Sequence, residues 1–213
     1  MKTFIYKISI EEHGHKILLG IFDSVDDTKF ISKSILEELF RSGKELFDNE
    51  YSRKVITYLI APRDTRFFIK DYVKRLETGD GSETKKKDPE IRKKELLDYS
   101  KPFLKEFLNK EISSLIFNGA GGVLIPVALK VLEKDSEPLV EAIANVLLEK
   151  RFEPSQEMPK DKKETVKVEK PHAIEDATVH YICKQIFSGD AEREKNSFKS
   201  LYFNVYNLGD KSY

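Results

Sequence analysis

Apolar residues recur along this chain three and four positions apart, which is the period of an α-helix. Such stripes run over residues 31–40, 103–116, 123–132 and 139–148. Each stripe places its apolar side chains on one face of a helix, and other helices must cover that face. No segment of comparable length alternates apolar and polar residues with the period of two that a half-buried β-strand shows. The pattern predicts an all-α protein built from short helices.

Turn-forming residues separate these stripes. The Asp-Asp-Thr sequence at 26–28 can cap a helix, a proline lies in the break at 61–65, and the Ser-Glu-Pro sequence at 136–138 is typical of a helix start. Two longer polar stretches, 78–86 and 153–170, are poor in apolar residues and are predicted to be disordered or irregular loops. We therefore expect at least ten helices or helical turns and no sheet of three or more strands.

Charge and cysteine content limit the classes of function. Lys plus Arg and Asp plus Glu both number 37, so the formal net charge is zero and a basic surface requires local segregation of charge. Cys183 is the single cysteine and the four histidines lack zinc-ligand spacing, so we expect a reducing compartment, no metal and no cofactor.

The uncharged run at 112–129 is broken by glycines at 119–122, which predicts helix, turn, helix and no membrane span. No constellation of titratable residues suggests an enzyme.

A short motif recurs four times: a polar or small residue, an aromatic or small residue, a small residue, two mostly polar positions and then an apolar helix. The copies begin at Glu12, Glu50, Gly119 and Ala177. The first two are 38 residues apart, which is a helical-repeat period, and the later spacings of 69 and 58 residues are longer by about the length of the inserted loops. The spacing independently favours a fold of stacked helical repeats.

These copies resemble the second-helix motif of Pumilio repeats, and the run Glu12–Thr28 resembles the Puf-A family of penguin-type, nucleolar Pumilio-like proteins. Further runs that resemble this family are 50–55, 59–64, 79–81 and 86–97. Together they cover roughly residues 8–150 in family order. The chain starts inside a repeat, since residues 2–10 provide only the end of a first helix, so we expect it to lack the family's N-terminal repeats.

The resemblance implies a curved stack of α-helical repeats, a Pumilio-like or HEAT-like α-solenoid. Residues 1–152 are expected to hold the repeats with a basic insertion at about 78–94, residues 153–170 a polar linker or loop, and residues 171–213 a further divergent repeat and an unassigned tail. The implied function is binding of RNA or DNA with little sequence specificity, in large-subunit ribosome biogenesis, rRNA processing and translational control. The implied location is the nucleus and nucleolus, and the implied partners are ribosomal precursor RNA, DNA or mRNA and ribosome-assembly proteins.

In Pumilio repeats that read RNA, one polar motif position and another four residues later contact a base edge, and the residue after the first one stacks on the base. Carried over by position, the edge residues and the stacking residue of each copy are His15, Leu19 and Lys16; Arg53, Thr57 and Lys54; Gly122, Pro126 and Val123; and His180, Lys184 and Tyr181. Leu19, Gly122 and Pro126 have no side-chain hydrogen-bonding group, so two of the four copies cannot form a complete edge set. Sequence-specific reading is not expected.

The cationic motif residues can still bind phosphate, and Arg53 and Lys54 are the foremost candidates. Because neighbouring side chains on a helix diverge by about 100°, at least one of the two should reach solvent. His15 and His180 have a second interpretation as packing or helix-start residues. Tyr181 fits core packing and base stacking equally well.

The basic insertion is the other candidate for phosphate contact. Residues 85–94 hold six basic side chains against two acidic ones: Lys85, Lys86, Lys87, Arg92, Lys93 and Lys94 against Asp88 and Glu90. The segment is either a solvated loop leading into a helix or a phosphate-binding patch. Segregation of these cations with the motif lysines on one face would favour nucleic acid, whereas an apolar groove would favour the alternative function of a protein-interaction scaffold in pre-ribosome assembly.

Overall fold

The computed structural model describes residues 4–83, 85–149 and 173–193. These residues form eleven α-helices, short helical turns and loops, with no β-strand among them, which confirms the predicted all-α class. The chain divides into two compact units, residues 1–111 and 112–213. The predicted loop at 153–170, the predicted boundary near residue 152 and the unassigned tail lie outside the described residues.

The first unit contains seven complete helices and most of an eighth: α1 (Ile5–Ser9), α2 (Gly14–Ser24), α3 (Thr28–Ile31), α4 (Glu37–Arg41), α5 (Glu45–Asp48), α6 (Glu50–Ile60), α7 (Lys70–Glu77) and α8 (Pro89–Leu115). The second unit contains α9 (Gly119–Leu132), α10 (Glu137–Glu149) and α11 (Ala177–Arg193). A π-helical turn, Ser32–Leu36, joins α3 to α4. The second unit also has two 3₁₀ turns, Glu133–Ser136 and Ala173–Glu175.

Polar side chains cap the first turns of two helices, and one of these caps lies at the predicted position, residues 26–28. Asp27 accepts a hydrogen bond from the Phe30 N–H at 2.9 Å and so caps α3. Asn49 caps α6 by accepting from the Tyr51 N–H at 2.8 Å. These side-chain oxygens satisfy N–H groups that have no partner within the first helical turn. The predicted helix, turn, helix over residues 112–129 is confirmed, but the turn lies at residues 116–118, and the glycines at 119–122 lie in the first turn of α9. The proline-containing start of α10 is confirmed as well.

Each unit buries its helical stripes in a core of its own. In the first unit Leu18 and Phe22 of α2 are buried, as are Val55 and Leu59 of α6. In the second unit α9 and α11 pack against each other, with residues such as Ile125 of α9 fully buried. Burying a side chain of this size stabilises the fold by about 1.5–3 kcal/mol. In the described part of the chain no helix has both the length and the apolar composition that a membrane span requires.

The third residue of the recurring motif lies directly against the preceding helix. A Cβ atom on Gly14 would be 2.1 Å from the Ile8 carbonyl oxygen, six residues earlier in the chain. At the same place in the third copy, a Cβ on Gly121 would be 1.9 Å from the Leu115 carbonyl oxygen. These approaches explain the glycine at this position in the first and third copies, whereas the fourth copy has the buried Val179 there.

Candidate nucleic-acid interface

All four motif copies begin a helix in the structure, namely α2, α6, α9 and α11. The residue that the Pumilio resemblance assigns to stacking is exposed in each copy: Lys16, Lys54, Val123 and Tyr181. The motif therefore places equivalent side chains at the surface four times. The first unit presents two cations at this position, and the second unit presents one aliphatic and one aromatic side chain.

The positions assigned to base edges are mostly turned inward. Leu19 is 1% exposed, Gly122 is buried and His15 is 4% exposed. Thr57 is half-buried, and its hydroxyl donates to the Arg53 carbonyl oxygen at 2.8 Å. In the fourth copy, by contrast, His180 and Lys184 are both exposed.

The neighbouring cations Arg53 and Lys54 have different environments. The Nη1 atom of Arg53 donates to the carbonyl oxygens of Phe47 at 2.9 Å and Asp48 at 3.1 Å, so Arg53 satisfies groups at the end of α5. Lys54 is exposed, and its Nζ atom lies 5.3 Å from the centroid of the Tyr51 ring. Lys54 therefore reaches solvent, as the divergence of adjacent side chains predicts, whereas Arg53 has a structural role.

His15 packs against Tyr51 and is close enough to both motif lysines to feel their charge. Its ring stacks on Tyr51 with centroids 4.9 Å apart and an interplanar angle of 18°. Its Nδ1 atom lies 3.1 Å from the Glu11 carbonyl oxygen, which suits a donated hydrogen bond. Burial lowers the pKa of His15, and the positive charges of Lys54 and Lys16 lower it further. This geometry favours the packing interpretation of His15.

Carboxylates accompany the cations on this face. Lys16 forms an ion pair with Glu12 at 3.6 Å. The pKa of Tyr51 is raised first by its hydrogen bond to Glu50 and also by the negative charge of Glu12. A phosphate group would compete with these carboxylates for the lysines, so each contact is expected to be weak and sensitive to salt.

The basic insertion belongs to a cluster of ion pairs centred on Asp23 at the end of α2. The guanidinium of Arg63 donates to Asp23 through Nε and Nη2, each at 2.7 Å, and to Asp80 through Nη2 at 2.8 Å. The Tyr58 hydroxyl also donates to Asp23, at 2.5 Å. Burial alone would raise the pKa of Asp23, but the hydrogen bonds from Arg63 and Tyr58 lower it overall. Lys85 joins this cluster, with its Nζ atom 3.6 Å from Asp23.

A second group of contacts fixes Lys87 and Arg92. The Lys87 Nζ atom donates to Glu95 at 2.6 Å and to the Asp26 carbonyl oxygen at 2.8 Å. Arg92 is 2% exposed and donates to the Asp23 carbonyl oxygen, to the Lys87 carbonyl oxygen at 2.9 Å and to Asp26 at 3.2 Å. These side chains hold the insertion against the end of α2.

Three of the six predicted basic residues of the insertion thus serve to attach it. Lys86 and Lys94 are exposed, and the half-buried Lys93 donates to Glu90 at 2.7 Å. The predicted irregular loop at 78–86 is confirmed for the residues described there. Asp23 and Asp26, from the end of α2 and the turn after it, together with Asp80 and Glu95 just outside residues 85–94, neutralise these cations, so the charge count for 85–94 overstates its basic surface.

Two comparisons relate the sequence to known proteins. Residues 48–199 match the CPL (NUC119) domain. The chain is 33% identical to Pumilio homolog 3 of Homo sapiens over 146 residues, which cover 68% of this chain and 22% of that protein. It is 29% identical to Protein penguin of Drosophila melanogaster over 190 residues, which cover 87% of this chain and 25% of penguin. The chain thus spans a quarter or less of the length of these relatives.

The fold is similar to solved structures as well. The crystal structure of human Puf-A matches with a TM-score of 0.78 and 29% identity, covering 95% of this chain and 38% of that one. The crystal structure of human Puf-A in complex with DNA matches with a TM-score of 0.79 and 28% identity, covering 96% of this chain and 38% of that one.

Proposed function

The chain belongs to the Puf-A and penguin family of Pumilio-like helical-repeat proteins, and we propose that it binds RNA or DNA through the phosphate backbone with little sequence specificity. One observation carries the proposal: Lys16 and Lys54 are exposed at the same position of consecutive motif copies. Repeated cations suit the repeated charge of a nucleic-acid strand. The complex of human Puf-A with DNA supports this class of ligand.

Low specificity follows from the burial of the edge positions. Because Leu19 and Gly122 are buried and have no side-chain hydrogen-bonding group, they cannot discriminate bases. In the second unit the exposed ring of Tyr181, with His180 and Lys184 near it in sequence, offers a stacking surface for an unpaired base. Stacking tolerates any base because every base has a π-face.

We propose that this binding serves large-subunit ribosome biogenesis and rRNA processing in the nucleolus, with ribosomal precursor RNA as ligand. DNA and mRNA are further candidate ligands, the latter in translational control. Family membership supports these assignments.

The role is binding and not catalysis, since the proposed contacts are cationic and aromatic side chains at a surface. Lys86, Lys93 and Lys94 are candidate additional phosphate contacts, because they lie at or near the surface of the insertion.

A protein-interaction scaffold in pre-ribosome assembly is the second candidate function. Val123 and Tyr181 favour it because both are large apolar side chains and each is 47% exposed. A ribosome-assembly protein could cover such side chains without using the motif lysines. Under this alternative, replacing Lys16 and Lys54 would leave binding to nucleic acid unchanged.

The test measures affinity for several unrelated single-stranded and duplex sequences at two or more salt concentrations. We expect similar affinities that fall steeply with salt, and the Lys16→Ala/Lys54→Ala variant should flatten the salt slope by up to about two units, one for each lost phosphate contact. The control variant, Lys33→Ala/Lys110→Ala, removes two other exposed lysines and the same net charge. A preference for one sequence by several kcal/mol, or an unchanged slope in the Lys16/Lys54 variant, would refute the proposal.

A further inference from the structure

We propose that Tyr51 is a positioning residue for the phosphate contact of Lys54, an inference that rests on the proposed function. Tyr51 occupies the second position of the motif copy that begins α6, three residues before Lys54. Residues three apart on a helix lie on the same side, so the ring and the ammonium group are neighbours. The Lys54 Nζ atom lies 5.3 Å from the ring centroid, which is within the range of a cation–π interaction.

The Tyr51 ring is itself fixed in place by α2. It stacks on His15, which is 4% exposed, with ring centroids 4.9 Å apart. The Asn49 side chain caps α6 by accepting a hydrogen bond from the Tyr51 N–H at 2.8 Å, and this bond holds the backbone of Tyr51 in place. A buried ring and a helix cap therefore restrain the aromatic surface over which Lys54 lies.

This restraint affects Lys54 because carboxylates lie near the ring that it contacts. Glu11, Glu12 and Glu50 are close enough to Tyr51 to interact with its hydroxyl group. Within the described part of the chain, no ion pair involves Lys54, although a lysine has a flexible four-carbon stem that could reach a carboxylate. The negative face of the ring attracts the ammonium group and keeps its outer side available to a phosphate.

The first experiment replaces the ring and measures affinity for a single-stranded oligonucleotide of arbitrary sequence at low salt. Tyr51→Leu should weaken binding by about two- to fivefold, the value of an exposed cation–π contact. Tyr51→Phe, which retains the ring, should restore the affinity. The matched control is Phe4→Leu, because Phe4 is 55% exposed and carries Lys7 at 5.7 Å from its ring in the same kind of contact. This control should bind as the parent does.

A double-mutant cycle separates positioning from a direct contact. If Tyr51 acts through Lys54, then Tyr51→Leu weakens binding in the parent and has no measurable effect in a Lys54→Ala background. An equal loss in both backgrounds would overturn the proposal while leaving the phosphate site intact. If Lys54→Ala alone leaves affinity unchanged, the phosphate contact fails, and the proposed function loses its main support.

Loss of the stack with His15 could unfold the Tyr51→Leu variant, so a second series keeps the shape of the ring. Phenylalanine carrying one, two or three ring fluorine atoms at position 51 weakens the negative face of the ring stepwise. Affinity should fall in step with the number of fluorine atoms, while circular dichroism and the melting temperature stay constant. Equal affinity across the series would refute the positioning role.

Discussion

The two units use the same recurring motif with different chemistry at its exposed position. The first unit presents Lys16 and Lys54 there, and the second presents Val123 and Tyr181. Because all four side chains are exposed, the motif determines where a side chain reaches the surface. Under the proposed function, the residue type then sets the expected ligand, which is phosphate for a lysine and a base or an apolar group for tyrosine or valine.

The contacts that join helices also differ between the two units. In the first unit, charged side chains around Asp23 join segments that are far apart in sequence. In the second unit, close approach depends on small residues: Gly121 meets the Leu115 carbonyl group, and a Cβ on Gly122 would be 2.9 Å from the Thr178 methyl carbon. The first unit should therefore respond to charge and pH, and the second to side-chain volume.

The largest effect is expected from removing the centre of the ion cluster. Asp23→Ala removes one of the two carboxylates paired with Arg63, whose side chain is 9% exposed, and also the acceptor of the buried Tyr58 hydroxyl, so we expect a loss of about 3–5 kcal/mol in the free energy of unfolding. The control is Asp98→Ala, which breaks the exposed pair with Lys101 and should cost about 0–1 kcal/mol. Urea denaturation measures both. Equal effects would show that the cluster is not a main support of the first unit.

The same cluster should make the first unit sensitive to acid. Burial raises the pKa of Asp23, but hydrogen bonds from Arg63 and Tyr58 outweigh it, so the folded pKa is below the ordinary value. A carboxylate with a lowered folded pKa contributes stability above its unfolded pKa and loses it as pH falls through the folded value. The melting-temperature difference between the parent and Asp23→Asn should therefore shrink as the pH is lowered below about 4. A difference that does not change between pH 7 and pH 3 would contradict this assignment.

Side-chain volume should dominate in the second unit. Gly121→Ala places a Cβ atom 1.9 Å from the Leu115 carbonyl oxygen, so the backbone must shift, at a cost of about 1–3 kcal/mol. Gly119→Ala is the matched control in the same helix, because its added Cβ would meet no atom within 4 Å beyond its chain neighbours and the backbone of its own helix. Thermal unfolding should show a lower melting temperature for the first variant than for the second. Equal melting temperatures for the two variants would contradict the expectation that side-chain volume limits the stability of the second unit.

Much of the fold could be predicted from sequence because its determinants are local. The apolar stripe at 123–132 lies within the observed helix Gly119–Leu132, and the cap at 26–28 precedes α3. Helix geometry predicts that at least one of Arg53 and Lys54 reaches solvent, and this prediction needs no knowledge of distant residues.

The ion cluster could not be found in this way. Asp23 is 40 residues from Arg63 and 69 residues from Arg92, and no spacing rule connects them. The net charge of +4 over residues 85–94 excludes the carboxylates of Asp23 and Asp26, which pair with Lys85 and Arg92 from more than 55 residues away in sequence. The bonds from Arg53 to the end of α5 could not be predicted either, because α5 has only four residues and no apolar stripe.

The smallest expected effect separates Arg53 from Lys54, which are adjacent in sequence and carry the same charge. Arg53 donates to two carbonyl oxygens at the end of α5, so Arg53→Ala should lower the free energy of unfolding by about 1 kcal/mol. It should leave the salt slope of nucleic-acid binding unchanged, because the guanidinium is already engaged within the fold. Lys54→Ala should do the reverse: the melting temperature stays constant, and the slope falls by up to about one unit. Measuring both quantities for both variants tests the distinction, since each variant serves as the charge-matched control of the other. If Arg53→Ala flattens the slope as much as Lys54→Ala does, then Arg53 leaves α5 to bind phosphate, and the first unit presents three motif cations instead of two.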